Sequence, residues 1–174
     1  MRALLTHHAD CNYFEHMTDT LVIYYSLEGN TDYVAKLAAR KLQADIVRIE
    51  PIKAYPRKGF RKFLIGGRDA VFSVHVQLQT VLPDFSQYAK LLIGTPVWAG
   101  TMAAPMNTLL HSAKIRGKHI ALFACSASGN AKKCFAKMKA LLPENTIDSC
   151  VSFINPVIHA GTAVDEQIDE LAFR

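Results

Sequence analysis

Long hydrophobic runs are absent from this 174-residue sequence. Every apolar stretch is far shorter than the roughly 20 residues that a membrane-crossing helix needs. Residues 1–19 hold only one apolar cluster, at residues 3–5, which is too short for the core of a secretory signal peptide. We therefore expect a cytoplasmic protein with no membrane partner.

Cysteine is also scarce, and its four copies form no CxxC pair. Cys125, Cys134 and Cys150 each lie in an apolar pattern, which is typical of small buried side chains. Disulfide and redox roles are therefore not predicted. The remaining cysteine, Cys11, lies near His7, His8 and His16, and histidine and cysteine are side chains that bind metals. No predicted strand or helix fixes the spacing of these four residues, so we predict no metal site from them.

Acidic residues are missing from one long stretch of the chain. Residues 53–68 contain six Lys or Arg and no Asp or Glu, whereas the whole chain has a formal net charge of +5. Such a run is most often a solvated helix face. No interleaved aromatic residues or binding motif accompany it, so we do not predict a nucleic-acid partner.

Short apolar runs alternate with helical periodicities along the chain. Half of the residues are hydrophobic, which is typical of a folded globular protein. The apolar runs predict five buried strands, at residues 21–25, 46–49, 91–94, 120–125 and 147–154. Apolar periodicity predicts helices at residues 31–42, 57–64, 106–113, 131–142 and 164–171, with a break at Gly66 and Gly67.

This alternation of strands and helices predicts the fold class. Right-handed crossovers make such strands parallel and give an α/β fold, a three-layer α/β/α sandwich. Five parallel strands in a chain of this length fit the doubly wound order 2-1-3-4-5. Residues 1–16 fit none of these elements, so we expect a loose N-terminal extension followed by a single domain at residues 17–174.

The stretch TLVIYYSLEGNT, residues 20–31, joins the first predicted strand to the first predicted helix. Ligands of open parallel sheets lie beyond the carboxyl ends of the strands. Here the free amides of a helix start would combine with the side chains of Ser26, Asn30 and Thr31, and Gly29 would allow close approach. This combination predicts a phosphate-binding turn. The alternative is a plain helix cap formed by Asn30 or Thr31.

Two more strand ends carry candidate ligand-binding segments. Trp98, the only tryptophan, follows the third strand within IGTPVWAGTM, where it can stack on a flat heterocycle. The alternative is that Trp98 folds back into the core. The next strand ends in the small, polar segment CSASGN, residues 125–130, which suits backbone that lies against a ring.

In their order and spacing, these three segments resemble the flavodoxin family over residues 20–153. The resemblance implies a flavodoxin-like fold and an FMN cofactor, with its phosphate on the first turn and its ring against Trp98 and the backbone near Ala99. The cofactor-binding residues that it implies are Ser26, Leu27, Glu28, Gly29, Asn30, Thr31, Thr95, Pro96, Val97, Trp98, Ala99, Gly100, Ser126, Ala127, Ser128 and Gly129.

The sequence departs from the family at several of these positions. Glu28 replaces a usual hydroxyl, Trp98-Ala99 replaces a frequent Trp-Gly, and the third segment lacks a frequent tyrosine. Typical flavodoxins are strongly acidic, whereas this chain is basic. A carboxylate at Glu28 must point outward, because it would otherwise repel the phosphate.

The resemblance implies an electron-transfer protein whose flavin supplies the redox chemistry, and no catalytic acid–base pair is predicted. One alternative is an FMN-dependent NAD(P)H oxidoreductase acting on quinones or other small acceptors. Another is a cofactor-free interaction module on the same fold. The expected partner is a redox protein or a small acceptor, with residues 53–68 as a docking surface. A receiver domain would need acidic residues at the first strand end, and a small phosphatase would need a cysteine where Ser26 stands.

Overall fold

A six-stranded sheet forms the centre of the fold. Its strands are β1 (Thr20–Tyr24), β2 (Asp45–Arg48), β3 (Lys90–Trp98), β4 (Thr101–Met102), β5 (His119–Ser126) and β6 (Thr146–Ile154). The order is β2-β1-β3-β5-β6, and these five strands are parallel, whereas β4 pairs antiparallel with the end of β3. Without β4 this is the predicted order 2-1-3-4-5, so the predicted fold class is confirmed.

The helices are α1 (Asn30–Leu42), α2 (Arg61–Val71), α3 (Ala104–Ser112), α4 (Lys132–Ala140) and α5 (Thr162–Asp169). The computed structural model describes residues 18–56, 61–171 and 173, and for residues 61–65 and 162 it describes the backbone alone. The predicted extension at residues 1–16, with its four histidine and cysteine residues, and the predicted helix start at residue 57 lie outside the described residues. None of the described helices combines the length and the apolar character that a membrane span requires.

Two apolar cores, one on each face of the sheet, explain why the strands read as continuous hydrophobic runs. Alternate residues of β1 point to opposite faces: Leu21 and Ile23 lie in one core, and Val22 lies in the other. The first core includes residues of α3 and α4, and the second includes residues of α1 and α5. The central strands are thus covered on both sides, whereas β2 at the edge contains no buried residue, so the predicted burial of the second strand is wrong for residues 46–48.

The segment after β3 differs from the predicted loop. Residues 95–98 continue β3, and a tight turn at Ala99 and Gly100 leads into β4, with Val97 opposite Met102 and Trp98 opposite Thr101. The segment that the resemblance implies as a ring-binding loop is therefore a β-hairpin. Its backbone hydrogen bonds hold Trp98 on a strand rather than on a mobile turn.

The predicted break at Gly66 and Gly67 is wrong, because both glycines lie inside α2. A Cβ atom on Gly66 would lie 3.3 Å from Cε3 of Trp98, so the missing side chain lets the helix pack closely on the indole ring. The glycines that appear to punctuate the sequence instead allow a helix to approach the candidate ligand site.

Candidate functional site

A cavity of about 460 Å³ opens where β1, β3 and β5 end. Its volume lies within the range that small-molecule sites occupy. Three segments predicted from the sequence meet there: the turn after β1, the β3–β4 hairpin and the segment after β5. The predicted site residues that line the cavity are Ser26, Leu27, Glu28, Asn30, Thr31, Pro96, Val97, Trp98, Ala99, Ser126 and Ala127.

Five predicted site residues do not line this cavity. Gly100 and Ser128 lie along a neighbouring cavity, and Gly29, Thr95 and Gly129 line neither one. Thr95 is fully buried and braces the hairpin, because its hydroxyl donates to the Pro96 carbonyl and accepts from the Ala103 amide. Its role is to connect β3 with the start of α3.

The turn after β1 leaves a helix start without a side-chain cap. Gly29 is the N-cap residue of α1, with a φ of 97° that favours glycine, and no side chain caps the helix. The Ser26 hydroxyl instead accepts a hydrogen bond from the Gly29 amide at 3.2 Å. Since α1 begins at Asn30, the predicted alternative of an Asn30 or Thr31 cap is wrong. The amides of the first helical turn remain available for an anion.

The hydroxyl of Thr31 is a buried polar group of this turn that lacks a hydrogen-bond partner among the described residues. The side chain is 1% exposed, and the atom concerned is Oγ1. The buried Cys125 thiol, whose pKa burial raises to about 12, interacts with the same hydroxyl without hydrogen-bond geometry. A buried hydroxyl without a partner is costly, so this position fits a ligand that accepts its proton.

Asn30 is already partly engaged. Its Oδ1 atom accepts a hydrogen bond from the Val157 amide at 3.2 Å, which ties the start of α1 to the segment after β6. Only its amide NH2 group is left to donate to a ligand. Asn30 therefore both positions the turn and lines the cavity.

Arg48 on β2 supports the turn from behind and was not predicted from the sequence. Its Nη2 atom donates to the Ser26 carbonyl at 2.9 Å, and its Nη1 atom lies 3.4 Å from Asp32 Oδ1. Burial would raise the pKa of Asp32, but hydrogen bonds from Lys36 and Tyr24 and the charges of Lys36 and Arg48 lower it overall. The Asp32 carboxylate is thus neutralised by cations instead of opposing an anion at the helix start.

Trp98 fits both of its predicted roles in part. The half-buried indole contacts the edges of Tyr25 and Tyr55, with ring centroids 5.6 Å and 4.9 Å away, and it packs against the main core. Tyr55 is itself fixed to α2, because its hydroxyl donates to Asp69 at 2.9 Å. Trp98 also lines the cavity, so an aromatic wall stands beside the turn after β1.

The tip of the hairpin holds an alanine in an unusual conformation. Ala99 has a φ of 47° and Gly100 a φ of 80°, which is the pattern of a two-residue type I′ hairpin turn. The left-handed region costs an alanine about 1–2 kcal/mol. The hairpin therefore imposes on Ala99 a conformation that alanine adopts reluctantly.

The segment after β5 is small and tightly braced. The Ser126 hydroxyl accepts from the Gly129 amide at 2.9 Å, and the Ser152 hydroxyl donates to the Gly129 carbonyl at 2.7 Å. Gly129 has a φ of 72°, and a Cβ atom there would lie 2.9 Å from the Ile154 side chain. Gly129 therefore fixes the conformation of this segment without lining the cavity itself.

Three further residues line the cavity that were not among the implied cofactor-binding residues: Gly67, Cys125 and Asn155. Gly67 and Asn155 arrive from elements distant along the chain, and neither belongs to a recognisable motif. Cys125 was assigned to the core, where it does lie, but it also borders the cavity floor. Its position at the start of the candidate segment at residues 125–130 was the available signal.

In a doubly wound α/β sheet, ligands bind at the switch point beyond the carboxyl ends of the strands, which is where this cavity lies. Residues 19–157 match the family model described as flavodoxin. The chain therefore belongs to the flavodoxin family.

Several solved structures share the fold. A flavoprotein from Lactobacillus acidophilus NCFM, in complex with FMN, is 23% identical with a TM-score of 0.68, and the match covers 80% of this chain and 96% of that one. A candidate flavoprotein from Bacteroides uniformis ATCC 8492 is 22% identical with a TM-score of 0.72, covering 87% and 98%. No protein with a curated function matches the chain.

Proposed function

We propose that this chain binds FMN and transfers electrons through it. The observation that carries the proposal is the buried Thr31 hydroxyl without a partner, which stands at an uncapped helix start. A phosphate oxygen at this position would accept its proton and those of the first-turn amides. Family membership and the FMN bound by the Lactobacillus relative support the same cofactor.

Different residues around the cavity would bind different parts of FMN. Ser26 and Thr31 supply hydroxyl groups for the phosphate, and Arg48 holds the turn that presents them. Trp98 supplies a flat apolar wall for the ring, and the short side chain of Ala127 leaves room opposite the turn. When bound, FMN supplies one- and two-electron redox chemistry.

Electrostatics around the ring would set the reduction potential. The hairpin and the segment after β5 contain no Asp or Glu, and Glu28 is the one carboxylate among the described residues that line the cavity, so few carboxylates oppose the negative charge that reduction adds. This pattern also supports the second candidate function, an FMN-dependent NAD(P)H oxidoreductase for quinones or other small acceptors. A cofactor-free interaction module is a weaker candidate, since it would provide no acceptor for the buried Thr31 hydroxyl.

The electron partner follows from the charge distribution. We propose a redox protein or a small acceptor, with the basic segment at residues 53–68 as a docking surface. Within that segment Arg68 already contacts Asp69 at 2.8 Å, and residues 57–60 lie outside the described residues. The cytoplasmic location and the absence of nucleic-acid and membrane partners stay predictions.

A redox titration of the FMN-loaded protein tests the proposal. We expect reversible reduction, with a potential for the second electron that is less negative than in acidic flavodoxins. Ala127→Glu should lower that potential by about 40–90 mV, the equivalent of about 1–2 kcal/mol of charge repulsion, because Ala127 is exposed at the edge of the cavity and a carboxylate there would oppose the negative charge that reduction adds.

Ala140→Glu is a matched control, since it adds the same charge at the far end of α4. It should change the potential much less than Ala127→Glu. Irreversible reduction, or a wild-type potential as negative as that of acidic flavodoxins, would contradict this account of the electrostatics.

A further inference from the structure

A second cavity of about 410 Å³ adjoins the first. Both cavities are lined by Val97, Ser126 and Ala127, so the two spaces share a wall. The second is completed by Gly100 from the hairpin and by Ser128, Asn130 and Lys133 around the start of α4. A molecule bound there would lie next to the occupant of the first cavity.

The polar groups of this second cavity have their oxygen atoms occupied and their protons unused. The Ser126 and Ser128 hydroxyls accept from the amides of Gly129 and Asn130, at 2.9 Å and 3.4 Å. Asn130 Oδ1 accepts from the Lys132 amide at 3.4 Å. Each side chain therefore keeps an O–H or N–H group for which the described residues provide no acceptor.

Lys133 adds a positive charge to these donors. It is exposed and forms no ion pair with any residue in the described part of the chain. The residues that line the second cavity include no Asp or Glu. Two hydroxyls, one amide and one ammonium group thus line a space to which the described residues contribute no carboxylate.

The rest of the second cavity is lined by aliphatic side chains and by a glycine. Val97 and Ala127 contribute aliphatic surface, and the position of a Cβ atom on Gly100 would be free of neighbours within 4 Å. Charged donors at one side and aliphatic surface at the other suit a ligand with one anionic group and an apolar body.

We infer that the second cavity binds the carboxylate of a small organic anion beside the FMN site. The inference rests on the proposed function and names the chemical class of the small redox partner. Lys133 and the hydroxyls of Ser126 and Ser128 hold the carboxylate, while Val97 and Ala127 contact the apolar part.

Titration of the FMN-loaded protein with benzoate tests this inference, read by calorimetry and by the change in the flavin absorbance spectrum. We expect saturable binding of benzoate and at least tenfold weaker binding of the neutral benzamide. Lys133→Gln should weaken benzoate binding by about tenfold or more, because it removes a charge-assisted hydrogen bond, and should leave FMN affinity unchanged.

Lys132→Gln is the matched control, since Lys132 precedes Lys133 on α4 and does not line the cavity. It should leave benzoate affinity near the wild-type value. Equal effects of the two variants, equal binding of benzamide, or inorganic phosphate binding as tightly as benzoate would each overturn the inference.

The outcomes separate this inference from the proposed function. A tenfold loss of FMN affinity in Lys133→Gln would overturn the inference, because the lysine would then belong to the cofactor site. If the wild-type protein fails to bind FMN, the proposed function fails. Calorimetry with benzoate on the same protein then still decides whether the second cavity binds a carboxylate.

Discussion

Thr31→Val should weaken FMN binding about 10- to 150-fold and at the same time stabilise the protein without FMN. The loss of affinity follows from removing one hydrogen bond to a charged group, which is worth about 1.5–3 kcal/mol. The gain in stability follows because the wild-type hydroxyl is buried without a partner, and valine has nearly the same shape. We expect the free energy of unfolding to rise by roughly 1 kcal/mol.

Thr20→Val is the matched control, because Thr20 is also buried and lies at the opposite end of β1. Its hydroxyl donates to the Asp19 carboxylate at 2.8 Å, so this substitution removes a bond that is made. It should lower the free energy of unfolding by roughly 1 kcal/mol and leave FMN affinity unchanged. An unchanged FMN affinity in Thr31→Val would show that this hydroxyl does not contact the phosphate.

Gly94→Ala should cause the largest loss of stability, a decrease of about 3 kcal/mol or more in the free energy of unfolding. Gly94 pairs with Phe123 across β3 and β5, and a Cβ atom would lie 2.0 Å from Cζ of that ring. The clash cannot be relieved by a small shift, because Phe123 is fully buried. Urea denaturation of the two proteins measures the difference.

Two further variants make the steric explanation testable. Gly67→Ala places a methyl group inside α2, where the nearest atom outside the helix is 3.9 Å away, so it should be neutral or stabilising by up to about 1 kcal/mol. Phe123→Leu combined with Gly94→Ala should recover part of the lost stability, because leucine has no ring over the glycine. Equal losses in both glycine variants would disprove the steric account.

The sequence predicted the centre of the sheet because β1, β3 and β5 are largely buried on both faces and therefore appear as unbroken apolar runs. It predicted that the turn after β1 would lie at the ligand cavity, because polar residues follow β1 abruptly and a helical pattern begins at once. This stretch contains both the end of a strand and the start of a helix, so the local residue pattern was enough to locate the turn. The helix start was misplaced by one residue, since nothing local shows that Gly29 acts as the cap.

Features that depend on tertiary contacts were not predictable in this way. The Pro and Gly residues of the hairpin indicate a loop, yet pairing with β4 overrides them, and Gly66 and Gly67 remain helical because α2 packs on Trp98. Arg48 belongs to a short, half-exposed strand and carries no motif, although its bond to the Ser26 carbonyl supports the turn. The burial of Thr31 without a partner appears only in three dimensions.

Equilibrium titration of the apoprotein with FMN and with riboflavin tests the central claim most directly. Trp98 is the only tryptophan and lines the cavity, so its fluorescence reports occupancy of the ring position. We predict that FMN quenches this fluorescence and binds at least tenfold more tightly than riboflavin, which lacks the phosphate that Thr31 and the helix start would hold. Equal affinities, or no quenching by FMN, would contradict the account.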